Sequence, residues 1–161
     1  MVSAPEEARV LILAPRGRDA AVAEQVLVRA GTQAVICPDL AAWLDALRAG
    51  AAAALVTEEA LGDGEPEGLF AWLETQPAWS DFPFLVLATR QHGHRSRQAS
   101  QLLAKLGNVV LLERPINAET LISATAAALR ARSRQYQARE RLQERERDRE
   151  QLRLANEGLE R

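Results

Sequence analysis

The sequence predicts a doubly wound α/β domain built on a five-stranded parallel sheet and prolonged by a charged helix. Three observations predict it. Five short apolar runs alternate with helical patterns between residues 9 and 131. Each run is nearly continuous in apolar character, as expected of parallel strands covered on both faces. From Arg132 onward the composition turns to interleaved Arg, Glu and Gln, with neither proline nor glycine before Gly158. The 161 residues suit one domain, and a 47% apolar share with only 4% aromatics means a core of Leu, Val, Ile and Ala.

The first strand is Arg9–Ala14, and Asp19 is placed to cap a helix that ends near Gly31. Ala34–Cys37 is the second strand. Asp39 is placed to cap the next helix, whose Leu40, Trp43, Leu44 and Leu47 form an i, i+3, i+4, i+7 stripe stopped by Gly50. After the third strand, Ala52–Thr57, a helix is marked by Leu69, Trp72 and Leu73. Phe84–Ala88 is the fourth strand, followed by a helix marked by Ala99, Leu102, Leu103 and Leu106 and ended by Gly107. Val109–Leu112 is the fifth. Asn117 is placed to cap the last helix, with Glu119 in its first turn where a negative charge suits the dipole. The expected organisation is a tail at 1–8, a domain at 9–131 and a signalling helix at 132–161.

That helix carries a seam with the 4-3 spacing of a coiled coil: Ala131, Gln135, Ala138, Leu142, Arg145, Arg149, Leu152, Asn156 and Leu159. Arg145 and Arg149 weaken it. Asn156, between Leu152 and Leu159, resembles the buried polar residue that fixes register in parallel pairs. The expectation is a homodimer through Ala138, Leu142, Leu152, Asn156 and Leu159; the alternative is a solvated single helix.

Several function classes are disfavoured. A net charge of −2 gives no overall attraction to nucleic acid or anionic lipid, and Glu interleaves the arginines of the tail. No apolar run approaches the roughly 20 residues that span a bilayer. MVSAPEEARV lacks the basic, then apolar, pattern of a signal peptide, and the single Cys37 cannot form an internal disulfide, so a cytoplasmic chain is expected. His92 and His94 form an H-x-H pair without nearby Cys or acids and read as an exposed loop. Gly17 alone is no phosphate-binding fingerprint. Trp43, Trp72 and Trp79 are spaced for packing rather than for stacking on bases, the first two in the core. No metal or cofactor is expected.

In an open parallel sheet, ligands bind beyond the carboxyl ends of the strands. The residues leaving the strands are Ala14, Pro15, Arg16, Gly17 and Arg18; Thr57, Glu58 and Glu59; Ala88, Thr89 and Arg90; and Glu113, Arg114 and Pro115. Three arginines, Arg16, Arg18 and Arg114, thus oppose Glu58 and Glu59. They form an internal ion pair, or separate surface charges worth under ~1 kcal/mol each, or a site for a bound anion.

Three segments carry a family resemblance: LLERP (Leu111–Pro115), AALVT (Ala53–Thr57) and WSDFPFLVLATR (Trp79–Arg90). The stretch from Arg9 to Arg130 resembles the receiver domain of bacterial response regulators, a flavodoxin-like fold. Arg132–Leu152 is similar to the linker that follows receiver-like domains in multidomain sensor histidine kinases, which implies a downstream PAS or kinase domain as partner. The resemblance implies two carboxylates for Mg²⁺ after the first strand, an aspartate nucleophile after the third, a hydroxyl residue ending the fourth and a lysine after the fifth. This sequence has Ala14 and Pro15, Thr57, Ala88 and Arg114 at those places, with Leu111 where a switch aromatic would fall. Mg²⁺ takes hard oxygen ligands and phosphoryl transfer takes a nucleophile, so the expected protein is not an enzyme. A one-residue slip would offer Glu58 or Thr89 instead, but it would turn a buried strand onto its other face. Alternatives are a pseudo-receiver of an antiterminator-type RNA-binding regulator and a residual phosphoacceptor.

Overall fold

The structure, a computed structural model, describes residues 5–88 and 95–160. Five parallel strands, β1 (Val10–Leu13), β2 (Ala34–Ile36), β3 (Ala53–Thr57), β4 (Phe84–Ala88) and β5 (Val109–Glu113), lie in the order β2-β1-β3-β4-β5. The register pairs Val10 with Ala53, Ala54 with Phe84 and Phe84 with Val109. Order reverses between β1 and β3, which puts the crevice for any ligand at their carboxyl ends.

Alternate strand residues feed two cores, as a period of two requires. Leu11, Leu13, Ala54, Val56, Phe84 and Val86 face one way, against α2 (Leu40–Ala49), α3 (Glu58–Asp63), α4 (Glu67–Glu74) and α5 (Arg97–Leu106). Val10, Ile12, Leu55, Leu85 and Leu87 face the other way, against α1 (Asp19–Arg29) and α6 (Ala118–Leu159). Trp43 is fully buried on the first side, and Trp72 is half-buried, edge-on to Phe82.

The structure corrects the sequence reading at three points. A short helix, α3, begins directly after β3, where the sequence reading placed only the loop leaving that strand. Thr57 caps it and Glu58 and Glu59 fill its first turn, which are favourable N-terminal residues. Asp19 is the first residue of α1 rather than its cap: Arg18 holds the cap position and no side chain bonds there. The fifth strand is not covered on both faces, since Val110 and Leu111 on this edge strand are 42% and 43% exposed.

Asp39, Ser96 and Asn117 cap α2, α5 and α6 by accepting from the backbone N–H three residues on. α6 then runs 42 residues without a break, about 63 Å of helix. Its first half buries Leu121, Thr125, Ala128 and Arg132, while residues 144–160 are exposed. Among the described residues, no helix is long and apolar enough to cross a membrane.

Candidate functional site

The carboxyl ends of β1, β3, β4 and β5 converge on a rim made of small apolar residues and internally matched charges. Ala14 and Ala88 are buried and Pro15 is exposed. Thr57, 2% exposed, ends β3 with its hydroxyl already engaged: Oγ1 accepts from the backbone N–H of Ala60 at 3.2 Å. The hydroxyl caps α3 and also bonds the Glu59 carboxylate, which Arg114 holds below its usual range and so makes a weak base, leaving the nucleophile unactivated.

Arg114 leaves β5 and meets Glu59, which α3 carries toward it from the end of β3. Its two terminal nitrogens donate to the two carboxylate oxygens of Glu59, Nη2 at 3.0 Å. This fork-on-carboxylate geometry is the strongest form of the ion pair. Asp19 Oδ2 lies 2.9 Å from Nε but off the N–H direction, so that contact is coulombic rather than a formed hydrogen bond. Both partners are about one-fifth exposed. The bond from Arg114, opposed by burial, holds the Glu59 carboxyl below the usual range, and Glu59 in turn raises Arg114.

The other charges that leave the strands take separate partners. Glu58 turns the opposite way along α3 and accepts from Nη2 and Nε of Arg95, with its side chain 10% exposed. Arg16 pairs with Asp63 on the surface, and Arg18 is exposed. Of the four residues expected in an internal pair, the structure joins Glu59 to Arg114 and sends Glu58 and Arg16 elsewhere. Sequence reasoning missed Asp19, Asp63 and Arg95 as partners. Asp19 was legible as an acid next to the first loop, whereas nothing in the spacing points to Arg95.

Chemically, one guanidinium faces two carboxylates, so the charge of Arg114 is already matched within the rim. Among the described residues, no group of three His, Cys, Asp or Glu is placed to hold a metal ion. Thr89, Arg90, His92 and His94 lie outside the described residues. An open cleft of about 410 Å³ lies beside Glu58, between Leu61, Pro66, Ala99 and Leu103.

On α6, the seam residues Leu142, Leu152 and Leu159 are 47%, 65% and 84% exposed, Asn156 is exposed and Ala138 is half-buried. Gln135 instead faces the domain, exchanging hydrogen bonds with the backbone of Asp81 at 2.9 Å in both directions.

No family model matches the sequence, and no curated protein matches it. Solved structures do. A CheY-like response regulator receiver domain from Methanospirillum hungatei superposes with a TM-score of 0.62 at 18% identity, covering 78% of this chain and 96% of that one. Full-length FixJ from B. japonicum matches at 0.58 and 22% identity, over 78% of this chain and 59% of its own. A fusion carrying a trimeric coiled-coil segment of yeast Spc42 matches at 0.61 and 19% identity, over 91% of this chain and 94% of that one. The fold of this chain is that of the receiver domains of response regulators, a five-stranded parallel sheet with a long helix leading out of it.

Proposed function

We propose that this chain is a non-catalytic receiver-like module of two-component signalling, which regulates a downstream kinase or sensor domain through α6. One observation carries the reading. Where the fold would present an acidic, phosphate-accepting pocket, this chain has Ala14, Pro15, a capping Thr57 and Ala88, and its Arg114 is held by Glu59 and Asp19. In this reading the Glu59 carboxylate occupies the role of a permanent anion on Arg114, fixing one conformation without chemistry. No nucleic acid and no membrane enters the scheme, and the site is cytoplasmic.

The test is direct. Incubation with an acyl-phosphate donor and Mg²⁺, followed by intact mass measurement, is expected to leave the mass unchanged. A gain of one phosphoryl group would overturn the reading, and its loss in Thr57→Ala or in Glu58→Gln would name the acceptor.

Pairing of two chains through α6 belongs to the same proposal. The exposed leucines at 142, 152 and 159 support it, because a single solvated helix gains nothing from them. Light scattering on the intact chain is expected to give twice the monomer mass, and Leu142→Glu with Leu152→Glu is expected to return it to one. A monomeric parent chain would sink the pairing.

A further inference from the structure

The root of α6 is gripped at the amino end of the sheet, the pole opposite Arg114. Four segments meet there: the short 3-10 turn Pro5–Ala8, the loop before β3, the loop before β4 and residues 132–139 of α6. Arg132, Gln135, Tyr136 and Arg139 follow an i, i+3, i+4, i+7 stripe, so all four face the domain.

The grip has an inner part and an outer part. Arg132, only 5% exposed, lies over Trp79, Phe82 and Tyr136 at 5.3, 5.0 and 4.8 Å from the ring centroids. Its Nη1 donates to Ser80 Oγ at 2.7 Å and to Gln135 Oε1 at 2.6 Å. Both acceptors are neutral, so three ring faces are left to stabilise a buried cation. This part belongs to the loop before β4 and to the helix itself.

The outer part depends on the turn. Arg139 lies over Trp79 and Tyr136 at 5.2 and 4.7 Å, and its Nη1 and Nη2 donate to the two oxygens of Glu7 at 3.0 and 2.9 Å. Tyr136 Oη lies within hydrogen-bond distance of two carbonyls, Glu7 O at 3.2 Å and Ala51 O at 3.1 Å. The turn is seated on Gly50: a Cβ there would come within 3.4 Å of Glu6 Cβ and 3.5 Å of Glu7 Cγ. Arg9, next in sequence, donates to the carbonyls of Gly50 and Ala46 at the end of α2, which anchors the turn from its other side.

We propose that the Pro5–Ala8 turn is a latch on the output helix: Glu7 holds Arg139 and Tyr136 against the domain, and its release frees α6 from about residue 136 outward while Arg132 stays clamped. The two parts share the Trp79 and Tyr136 rings, and Arg132 also bonds Tyr136, but they end on different anchors of the domain. Arg132 uses Ser80 and Gln135; Arg139 and Tyr136 use Glu7 and Ala51. An event at the turn, such as a partner binding over it or a pull on it, thus changes the stiffness of the helix root without unfolding the sheet. The inference takes from the proposed function only that α6 is the output element.

The experiment is amide hydrogen exchange on the intact chain, read peptide by peptide by mass spectrometry. Glu7→Gln and Arg139→Gln each remove one side of the bidentate pair. Exchange across residues 136–143 is expected to quicken about tenfold in either variant, with β1, β3 and β4 unchanged. Arg139→Lys, which keeps a cation over both rings and one contact to Glu7, is expected to fall between the parent and Arg139→Gln. Parent-like exchange in Glu7→Gln and Arg139→Gln overturns the latch; so does Arg139→Lys as fast as Arg139→Gln, and so does acceleration spread over the strands. Particle mass, measured on the same samples, reports pairing independently of the latch.

Discussion

The two poles of the sheet both employ arginine, and they employ it in opposite ways. At the carboxyl end, Arg114 sits one-fifth exposed between Glu59 and Asp19, a cation neutralised by carboxylates. At the amino end, Arg132 is nearly sealed and rests on aromatic faces and neutral acceptors. The first arrangement matches a cation with acids at the rim of the sheet. The second builds structure, since a flat guanidinium buries its faces against rings as an aliphatic chain does while its edge bonds to Ser80 and Gln135. The carboxyl pole of the sheet thus ends in ion pairs, and at the opposite pole the domain holds the root of α6.

The largest effect is expected at the amino pole. Trp79→Ala removes the ring that both Arg132 and Arg139 cover and is expected to cost about 2–3 kcal/mol, read as a lowered denaturant midpoint. A loss below that of Arg114→Ala would reverse the ranking of the two poles. Arg114→Ala leaves Glu59 and Asp19 facing each other without their cation and is expected to cost about 1–2 kcal/mol in the same measurement.

The poles also differ in how pH affects them. The folded Glu59 carboxyl is held below its unfolded value, chiefly by Arg114. Its contribution is therefore present at and above the ordinary glutamate range and is lost as pH falls toward the depressed folded value. Glu59→Gln is expected to flatten that part of the acid limb of a stability–pH curve. Tyr136 runs the other way: burial raises its phenol, so its contribution is full below the ordinary tyrosine value and falls only in strong alkali. Smallest of all, Arg16→Ala breaks only the exposed pair with Asp63 and is expected to change stability by less than about 0.5 kcal/mol.

Much of this was legible in the residues. Continuous apolar runs located all five strands: β1, β3 and β4 are buried and leave no polar face to interrupt them, while the edge strands β2 and β5 are apolar though partly exposed. Arg114 and Glu59 stood out as opposed charges because both leave strands at the same end. α3 escaped because six residues are too few for a periodic stripe, although Thr57 followed by two glutamates was its signal. The amino-pole grip escaped for a different reason. Its stripe has helical spacing, but it is filled by Arg, Gln, Tyr and Arg, residue types that ordinarily mark a solvated face. Only the distant Trp79, Phe82 and Glu7 reveal its direction, and those contacts span 50 to 132 residues of sequence, a separation to which local pattern is blind.

Geometry gives α6 one more property. From Arg139 to Leu159 the helix projects about 30 Å past its last described anchor on the domain. It is a lever with a short arm in the grip and a long arm in solvent. A tilt of about 10° at the root sweeps the far tip through about 5 Å, close to one full pitch of the helix. Displacements too slight to disturb the packing around Trp79 thus arrive at the tip as steps the size of a helical turn.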